Sequence, residues 1–439
     1  MQLHMQPSGL QTSITKWCLT GNSTKYLNYR RDLTLSLKKI AHSVYPQDGR
    51  RLPKFAYFAV TLSMMTIAAR ATNNMVMTTV SPFAKHSLGF SNTLVGILAA
   101  SSFLATFAAT SYLNPRLVGK WRRNAFIISN GAIALTLPLF YFSTSTTIWL
   151  IAAFAGFASG IVMPNLITAA SSAKDLKSTE RLLALYTTSL SASLIIGPFI
   201  ETRLLSFVDY RTVFLLFDFL AIAGFFLSMG VDFPEVRSES HGKAALNSSG
   251  FISSLLSNST YSVPFAAITT FLAIYATEKF DVPSNVAFLS FIPFFTISFI
   301  TRLALAIVPL RSLKLFFLIS VMVTLAGLVG MAFSPSFAVF LIVMALLGLP
   351  HGSIYPMSTI MIARGTKREE RSAVNSYFLA FNNILFAVVP FIVGALSAII
   401  GLSGVFLLLT VPVTLSAVLF LVKFRRDPVF TGDTQQTLI

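Results

Sequence analysis

Polar side chains inside long apolar stretches are the residues of this sequence best able to do chemistry. In the first such stretch, the polar positions recur at three- and four-residue steps, which places them on one face of a helix. This face carries Ser63, Thr66, Arg70, Asn73, Asn74, Met77 and Ser81. An unpaired guanidinium inside hydrocarbon costs ~3 kcal/mol or more, so Arg70 needs either a partner or a water-filled cavity.

Three further apolar stretches carry polar residues at helical spacing. They are Asn165, Thr168 and Ser172 in the fourth stretch, His351, Tyr355 and Ser358 in the tenth, and Asn375, Asn382 and Asn383 in the eleventh. Such residues either line a cavity or join helices by hydrogen bonds, and the sequence favours neither role for Asn165 or Asn382. Asp218 is the carboxylate that we place firmly within a span. It is therefore a candidate ion-pair partner for Arg70 or a candidate proton carrier.

The sequence shows no constellation that is typical of an enzyme or a metal site. Its five histidines, His4, His42, His86, His241 and His351, form no metal-binding pair, and Cys18 is the single cysteine. A Gly-rich phosphate loop followed by Lys-Ser or Lys-Thr does not occur. We therefore expect no cofactor, no metal and no use of ATP.

The composition indicates a membrane protein. Hydrophobic residues make up 54% of the chain and charged residues 11%, against about 25% in a typical soluble domain. Hydropathy predicts twelve spans long enough to cross ~30 Å of hydrocarbon. They lie near 55–80, 92–113, 124–143, 147–170, 182–203, 212–230, 260–277, 286–307, 312–333, 337–361, 372–399 and 404–422.

The net charge of +17 is explained by topology. Of the 33 Lys and Arg residues, 28 fall in the N-terminal tail, the even loops and the C-terminus, and four fall on the side of the odd loops. Cytoplasmic segments carry such an excess of positive charge, so we expect both termini in the cytoplasm. The charge thus requires no nucleic acid, and we expect none as a partner. A basic segment at 25–40 either lies on anionic lipid or is a disordered tail.

An internal repeat divides the chain into two halves of like design. Gly156, Gly160 and Pro164 recur as Gly348, Gly352 and Pro356, and Pro198-Phe199-Ile200 recurs as Pro390-Phe391-Ile392, always at an offset of 192. Parallel repeats within one polytopic chain are a known transporter plan. We predict a basic cytoplasmic tail at 1–53, a six-helix half at 54–230, a cytoplasmic central loop at 231–259, a second six-helix half at 260–426 and a tail at 427–439.

This plan resembles the major facilitator superfamily of secondary transporters, and local motifs add to the likeness. An acidic-Arg pair follows the fourth and tenth spans, as Glu180-Arg181 and Glu370-Arg371, and Tyr210-Arg211-Thr212-Val213-Phe214 opens the sixth. The loop from Asn114 to Arg123 is similar to the family's signature loop, with Asn114 nearest to the place of its Asp. The resemblance implies an all-α fold of twelve helices in which spans one, four, seven and ten line a central cavity, with span eleven beside it.

The resemblance also implies a secondary transporter that moves a small solute across the membrane by alternating access. The predicted substrate-binding residues are Arg70, Asn73, Asn74, Asn165, His351, Tyr355 and Asn382, and the predicted proton-coupling residue is Asp218. An arginine in the cavity favours a solute with anionic or amphipathic character. Import and export, and use or non-use of protons, stay open. We expect a monomer embedded in the lipid bilayer of the cell membrane. Two alternatives are a polytopic enzyme acting on lipid and a non-transporting sensor on a transporter fold.

Overall fold

The computed structural model describes residues 52–171, 176–231, 233, 244–307, 312–367 and 371–432. Ser172, Glu370, most of the predicted tail at 1–53, the middle of the central loop and the residues after 432 lie outside this part of the chain. The chain divides into two compact units, Met1–Phe58 and Ala59–Ile439. Of the first unit, the described residues are the start of a helix. The second unit holds nearly all of both predicted halves.

The described residues of the first half form six long helices. They are α1 (Leu52–His86), α2 (Asn92–Ala108), α3 (Gly119–Tyr141), α4 (Ile148–Ala170), α5 (Leu176–Leu204) and α6 (Tyr210–Ser228). A π-helical turn at Ala109–Leu113 and a 3₁₀ turn at Asn114–Arg116 extend α2 toward the loop that precedes α3. Ser91 and Asp209 cap the N-termini of α2 and α6, accepting hydrogen bonds from the backbone N–H groups of Leu94 and Thr212.

The second half repeats this order. Its helices are α7 (Ser249–Phe280), α8 in two segments (Ser284–Phe288 and Phe291–Ile307), α9 (Lys314–Phe333), α10 (Phe337–Gly365), α11 (Arg371–Leu408) and α12 (Thr410–Phe424), followed by the short α13 (Pro428–Thr431). The described residues include no β-strand. The predicted all-α architecture is therefore confirmed.

The hydrophobic spans agree with the twelve predicted from the sequence. Within the described residues, eleven candidate spans are long and apolar enough to cross a membrane, and the last, Val374–Phe424, has 51 residues. At ~1.5 Å per residue this last stretch would be far longer than ~30 Å of hydrocarbon requires. It is divided at Gly401, whose backbone φ of 68° lies in the left-handed region that glycine adopts easily. Two crossings therefore fit within it.

The start of α7 differs from the prediction. The central loop was expected to extend to residue 259, yet α7 begins at Ser249, and a 3₁₀ turn precedes it at Ala244–Asn247. Ser248 caps the helix by accepting a hydrogen bond from the backbone N–H of Phe251. The serines of this stretch suggested a loop, but Ser253, Ser254 and Ser257 are buried in the bundle. Most serines here satisfy their hydroxyls on carbonyls one turn back in the helix, so polar residues do not end it.

The repeated glycines fix the position of one helix pair in each half. Gly156 and Gly160 of α4 lie against the backbone of α2, where an added Cβ would come within 3.0 Å of the carbonyl oxygens of Ser102 and Thr106. Gly348 and Gly352 of α10 lie in the same way against α8, at the carbonyl oxygens of Phe294 and Ser298. These four contacted residues are themselves related by the offset of 192. The repeated glycines are therefore close-packed contacts between helices in both halves.

Candidate functional site

A central cavity of about 720 Å³ lies between the two halves of the bundle. Its walls come from α1, α2, α4 and α5 of the first half and from α7, α8, α10 and α11 of the second. The volume lies within the range of ~300–1,000 Å³ that is usual for small-molecule sites. All five spans expected to line a cavity do so, and α2, α5 and α8 contribute as well.

Arg70 of α1 lines this cavity. One of its terminal nitrogens lies 3.1 Å from the sulfur of Met163 on α4, and its buried Nε has no hydrogen-bond partner. A thioether is a weak acceptor and carries no charge, so it compensates the guanidinium poorly. The positive charge of Arg70 is therefore available to a solute in the cavity.

Arg302 of α8 supplies a second guanidinium to the same cavity. It donates a long hydrogen bond of 3.4 Å to the backbone carbonyl of His351, and its Nε is buried without a partner. The charges of Arg70 and Arg302 are close enough to act on each other. Each half of the bundle thus contributes one arginine, and the two repel one another across the cavity.

The surroundings of the two arginines are phenolic rather than acidic. Tyr186 and Tyr355 lie within electrostatic range of both guanidinium groups, and Tyr261 lies within range of Arg302. Tyr355 exposes 40% of its surface, the largest fraction among these tyrosines. The described residues that line the cavity include no aspartate or glutamate. Among the described residues, the single ion pair is Lys85–Glu278, so neither Arg70 nor Arg302 has a carboxylate partner.

His351 of α10 lies in an aromatic enclosure beside Arg302. The ring centroids of Phe265 and Phe294 are 4.3 Å and 5.0 Å from its own, and those of Phe295 and Tyr261 are slightly farther. Its Nδ1 is 2.6 Å from the hydroxyl of Ser298 on α8, which fixes the ring orientation. The imidazole lines the cavity while its position is set by α8 and by these rings.

Amides line the wall formed by α7 and α11. Asn258 donates to Asn382 at 2.6 Å and to Ser262 at 2.7 Å, and Asn382 donates to the carbonyl of Phe378. Asn382 therefore has both roles between which the sequence could not decide, since it lines the cavity and joins two helices. On the facing wall, the amide nitrogen of Asn73 contacts only the sulfur of Met77, and that of Asn74 has no partner.

Asn165 lies elsewhere. It is fully buried in α4 away from the cavity, and its amide nitrogen donates to the carbonyl of Ile161 and, at 2.7 Å, to the side-chain oxygen of Asn114. These bonds join α4 to the loop after α2. Six of the seven predicted substrate-binding residues thus line the cavity, and Asn165 is the exception because its helix turns this side chain toward α2.

Asp218 also lies outside the cavity. It is on α6 and is 9% exposed, and its Oδ1 is buried without a hydrogen-bond partner. No ion pair joins it to Arg70. No described residue of α6 lines the cavity that Arg70 faces.

The two halves meet at the end of the bundle that carries the loops at 87–91, 142–147, 281–283 and 334–336, here called the outer end. Lys85 and Glu278 form the ion pair at 3.1 Å, and His86 lies 3.4 Å from the hydroxyl of Thr277. Deeper in, a Cβ on Gly96 would collide with the backbone of Pro390. These contacts close the cavity at the outer end.

Two buried charged residues, Arg302 and Glu201, were not predicted from the sequence as part of the interior. Arg302 was counted with the cytoplasmic charges because it stands near the end of an apolar run, although α8 continues to Ile307. Glu201 was passed over beside Arg203 for the same reason, yet it is fully buried in α5. Both lie within the predicted spans 286–307 and 182–203, and that position was the available signal.

The sequence profile described as Major Facilitator Superfamily matches residues 62–311 and 256–436. Comparison with curated proteins finds no match. The fold is similar to a bacterial homologue of the human lysosomal transporter Spinster, in an inward-facing and unoccupied conformation, with a TM-score of 0.67, 11% identity, and coverage of 86% of this chain and 98% of that one.

Two further structures share the fold. The nucleoside transporter NupG has a TM-score of 0.62 and 13% identity, with 84% of this chain and 100% of that chain covered. A POT family transporter in complex with a thioalcohol-conjugated peptide has a TM-score of 0.66 and 12% identity, with 83% and 96% covered. At these identities the likeness establishes the fold alone.

Proposed function

Because this chain belongs to the Major Facilitator Superfamily, a family of multi-pass membrane transporters and not of enzymes, we propose that it carries a small organic anion across its membrane by alternating access. The single observation that carries this proposal is the pair of uncompensated guanidinium groups, Arg70 and Arg302, that face one cavity from opposite halves of the bundle.

The energetics of burial favour an anion as the missing partner. Two positive charges held near each other in a partly desolvated site cost several kcal/mol unless an opposite charge compensates them. A carboxylate or phosphate group offers the planar pair of oxygens that a guanidinium binds bidentately. An anion placed between Arg70 and Arg302 would relieve their mutual repulsion.

The remaining lining supports an organic rather than an inorganic anion. The cavity is larger than one phosphate ion requires, and it carries amides and hydroxyls next to aromatic rings. In this proposal Asn73, Asn74 and Tyr355 bind polar groups of the solute. His351 and Asn382 shape the facing wall, and Asn165 positions α4 rather than touching the solute.

Alternating access is supported by the contacts between the two halves at the outer end. The outer end is closed by contacts between the halves, as expected for a state open to the opposite side. In the topology proposed from the charge distribution, that opposite side is the cytoplasm. The ion pair and the glycine contacts would then have to separate when the outer end opens.

Coupling to protons stays part of the proposal through Asp218, a buried carboxyl group on α6. If Asp218 relays protons, Asp218→Asn abolishes transport driven by a pH gradient and leaves exchange intact. Equal gradient-driven transport by the variant and the wild type would remove this role.

A ligand screen by thermal unfolding tests the substrate class. Inorganic phosphate, succinate, glutamate and glucose 6-phosphate are compared with glucose and choline on the purified protein. A ligand that binds only the folded state increases the free energy of unfolding, by about 2.7 kcal/mol at a hundredfold excess over Kd. The midpoint of thermal unfolding rises as a result. We expect at least one organic anion to stabilise the wild type and not Arg302→Gln. Stabilisation by choline or glucose alone would contradict the proposal.

A further inference from the structure

Glu201 is a carboxyl group that the proposed transport site does not use. It lies near the end of α5, is 0% exposed, and does not line the central cavity. Placing a carboxyl group in the interior of a membrane bundle is costly unless it is paired or neutral, so its surroundings indicate which state the site holds.

The hydrogen bonds of Glu201 come from hydroxyl groups of α1. The hydroxyls of Thr78 and Thr79 lie 2.8 Å and 2.6 Å from its Oε1. The Thr78 hydroxyl is also 2.9 Å from the backbone carbonyl of Asn74, whose side chain lines the cavity. The second oxygen, Oε2, is buried and has no hydrogen-bond partner.

No cation compensates Glu201 within the described residues, since their single ion pair is Lys85–Glu278. Arg70 and Arg302 lie within electrostatic range of Tyr186. Tyr186 is ~22 Å from Glu201 along α5, so these two arginines are at the far part of that helix. Arg203 is exposed and lies over the ring of Phe199. Of the other neighbours of α5, α4 carries no titratable side chain. The α6 helix carries Tyr210, which lies within electrostatic range of Glu201, and also Arg211 and Asp218. The guanidinium of Arg211 donates to the carbonyls of Tyr141 and Ser143 and forms no ion pair with Glu201.

These contacts fit a neutral carboxylic acid better than a carboxylate. Two neutral hydroxyls on one oxygen leave an ionised group largely uncompensated, whereas a proton on the unpartnered Oε2 removes the charge and leaves both threonine hydrogen bonds in place. The ligand of this site would be a proton bound to Oε2 of Glu201, and a proton can bind there without a cavity around the carboxyl group.

Tyr210 connects this carboxyl group to the contact between the halves. Its ring is stacked with that of His86, with centroids 6.2 Å apart, and meets the ring of Phe288 on α8 at 6.4 Å. A shallow pocket lined by His86, Glu278, Asp281 and Ser284 lies on the outer side of these rings. Water in that pocket would bring protons to the side of Tyr210 opposite Glu201.

From this arrangement we propose that Glu201 is a proton-binding site that controls the outer end of the transporter. With the proton on Glu201, the carboxyl group is neutral and the outer end stays closed over it. Loss of the proton leaves a carboxylate that needs water, which favours opening of the contact formed by Tyr210, His86 and Phe288. The control of transport by this site rests on the proposed function, whereas proton binding and closure can be measured without any substrate.

Infrared spectroscopy tests proton binding directly. The wild type, Glu201→Gln and Asp218→Asn are titrated between about pH 5 and about pH 9 in detergent, and the C=O stretching band of protonated carboxyl groups is followed. We expect a band of a buried carboxylic acid that is lost in Glu201→Gln and kept in Asp218→Asn. Asp209→Asn, which alters an exposed helix cap, serves as a control for carboxyl groups in contact with water. Absence of a buried-acid band in the wild type, or a band of unchanged intensity in Glu201→Gln, would overturn the proposal.

Spin labels at the outer end test the control of closure. Cysteines at Thr146 and Pro335, which are exposed in loops of the two halves, are labelled in a Cys18→Ser background. As the pH rises, the ratio of short to long distances should fall in the wild type, by up to about tenfold per pH unit, the limit for one proton. Glu201→Gln should keep the short distance at every pH.

A structural role alone would predict a different result, because glutamine also accepts the threonine hydrogen bonds. The proposal would be contradicted if the distance at the outer end had the same pH dependence in Glu201→Gln as in the wild type. It would also be contradicted if Asp218→Asn, rather than Glu201→Gln, abolished that pH dependence. Since neither measurement uses a transported solute, these failures are separate from failure of the anion screen.

Discussion

The two glycine-packed helix pairs, α2–α4 and α8–α10, have the same backbone contacts and different side chains. In the first half the hydroxyls of Thr106 and Thr110 donate to the carbonyls of Gly156 and Gly160. At the positions related by the offset of 192, the second half has Ser298 and Arg302, which bond to the imidazole and the carbonyl of His351. The duplicated backbone thus sets the geometry, and the chemistry differs between the copies.

Arg70, like Arg302, has no arginine at the equivalent position of the other half. Arg70 of α1 corresponds at the same offset to Ser262 of α7, which takes part in the hydrogen bonds with Asn258 and Asn382. The two guanidinium groups therefore occupy unrelated positions of the repeat. A site with one charge from each half can form only where both halves meet, which ties solute binding to the closing of the halves around it.

The largest effect is expected where the two pairs are alike. Gly160→Leu and Gly352→Leu would each place a side chain against a backbone carbonyl, so we expect loss of at least about 3 kcal/mol and little folded protein. Yield and thermal unfolding measure this. Gly224→Ala is the control, because its Cβ would meet its nearest neighbour at an ordinary 3.7 Å. Normal folding of either leucine variant would show that the pairs tolerate separation.

The next effect separates the two pairs. Arg302→Lys should weaken anion transport about tenfold to a hundredfold, because an ammonium group cannot reproduce the bidentate contact. Thr110→Ala, at the equivalent position of the first half, should change transport by less than about fivefold, the loss of one neutral hydrogen bond. Uptake by proteoliposomes measures both. Similar losses in the two variants would mean that the halves contribute alike.

A smaller effect concerns the orientation of His351. Ser298→Ala removes the 2.6 Å contact to Nδ1, and we expect about 1 kcal/mol of lost solute affinity, or roughly fivefold. Thr106→Ala, its counterpart, should leave solute affinity unchanged while lowering the unfolding midpoint slightly. An unchanged affinity in Ser298→Ala would show that the imidazole needs no fixed orientation.

The smallest effect lies at the starts of the sixth and twelfth spans. Asp209 caps α6, and the pKa of its carboxyl group is below the ordinary value, chiefly because the Thr212 side chain hydrogen-bonds to it. Its contribution is therefore present at neutral pH and is lost as the pH falls through that lowered pKa. Asp209→Ala should cost about 1 kcal/mol at neutral pH and less in acid. At the equivalent position, Gly401→Ala should cost a similar amount at every pH, because it strains a backbone with positive φ. Thermal unfolding at two pH values distinguishes the two.

The extent to which the sequence predicts the site can be seen in particular residues. Apolar length and the repeat predict the helices, and three- and four-residue spacing places Arg70, Asn73 and Asn74 on one face. Spacing does not say which neighbour that face meets, so Asn165 and Asn382 looked equivalent although one joins α4 to a loop and the other lines the cavity. Arg302 was counted with the cytoplasmic charges because the sequence does not show how far neighbouring helices cover the end of a helix.

A double-mutant cycle on Arg70 and Arg302 tests the central claim most directly. The Kd of the anion that stabilises the wild type most in the screen is measured for the wild type, Arg70→Gln, Arg302→Gln and the double variant. If one anion contacts both groups, the losses are non-additive, with an interaction energy of about 1 kcal/mol or more. Losses that add to within about 0.5 kcal/mol, or single variants that bind as the wild type does, would contradict a shared anion site.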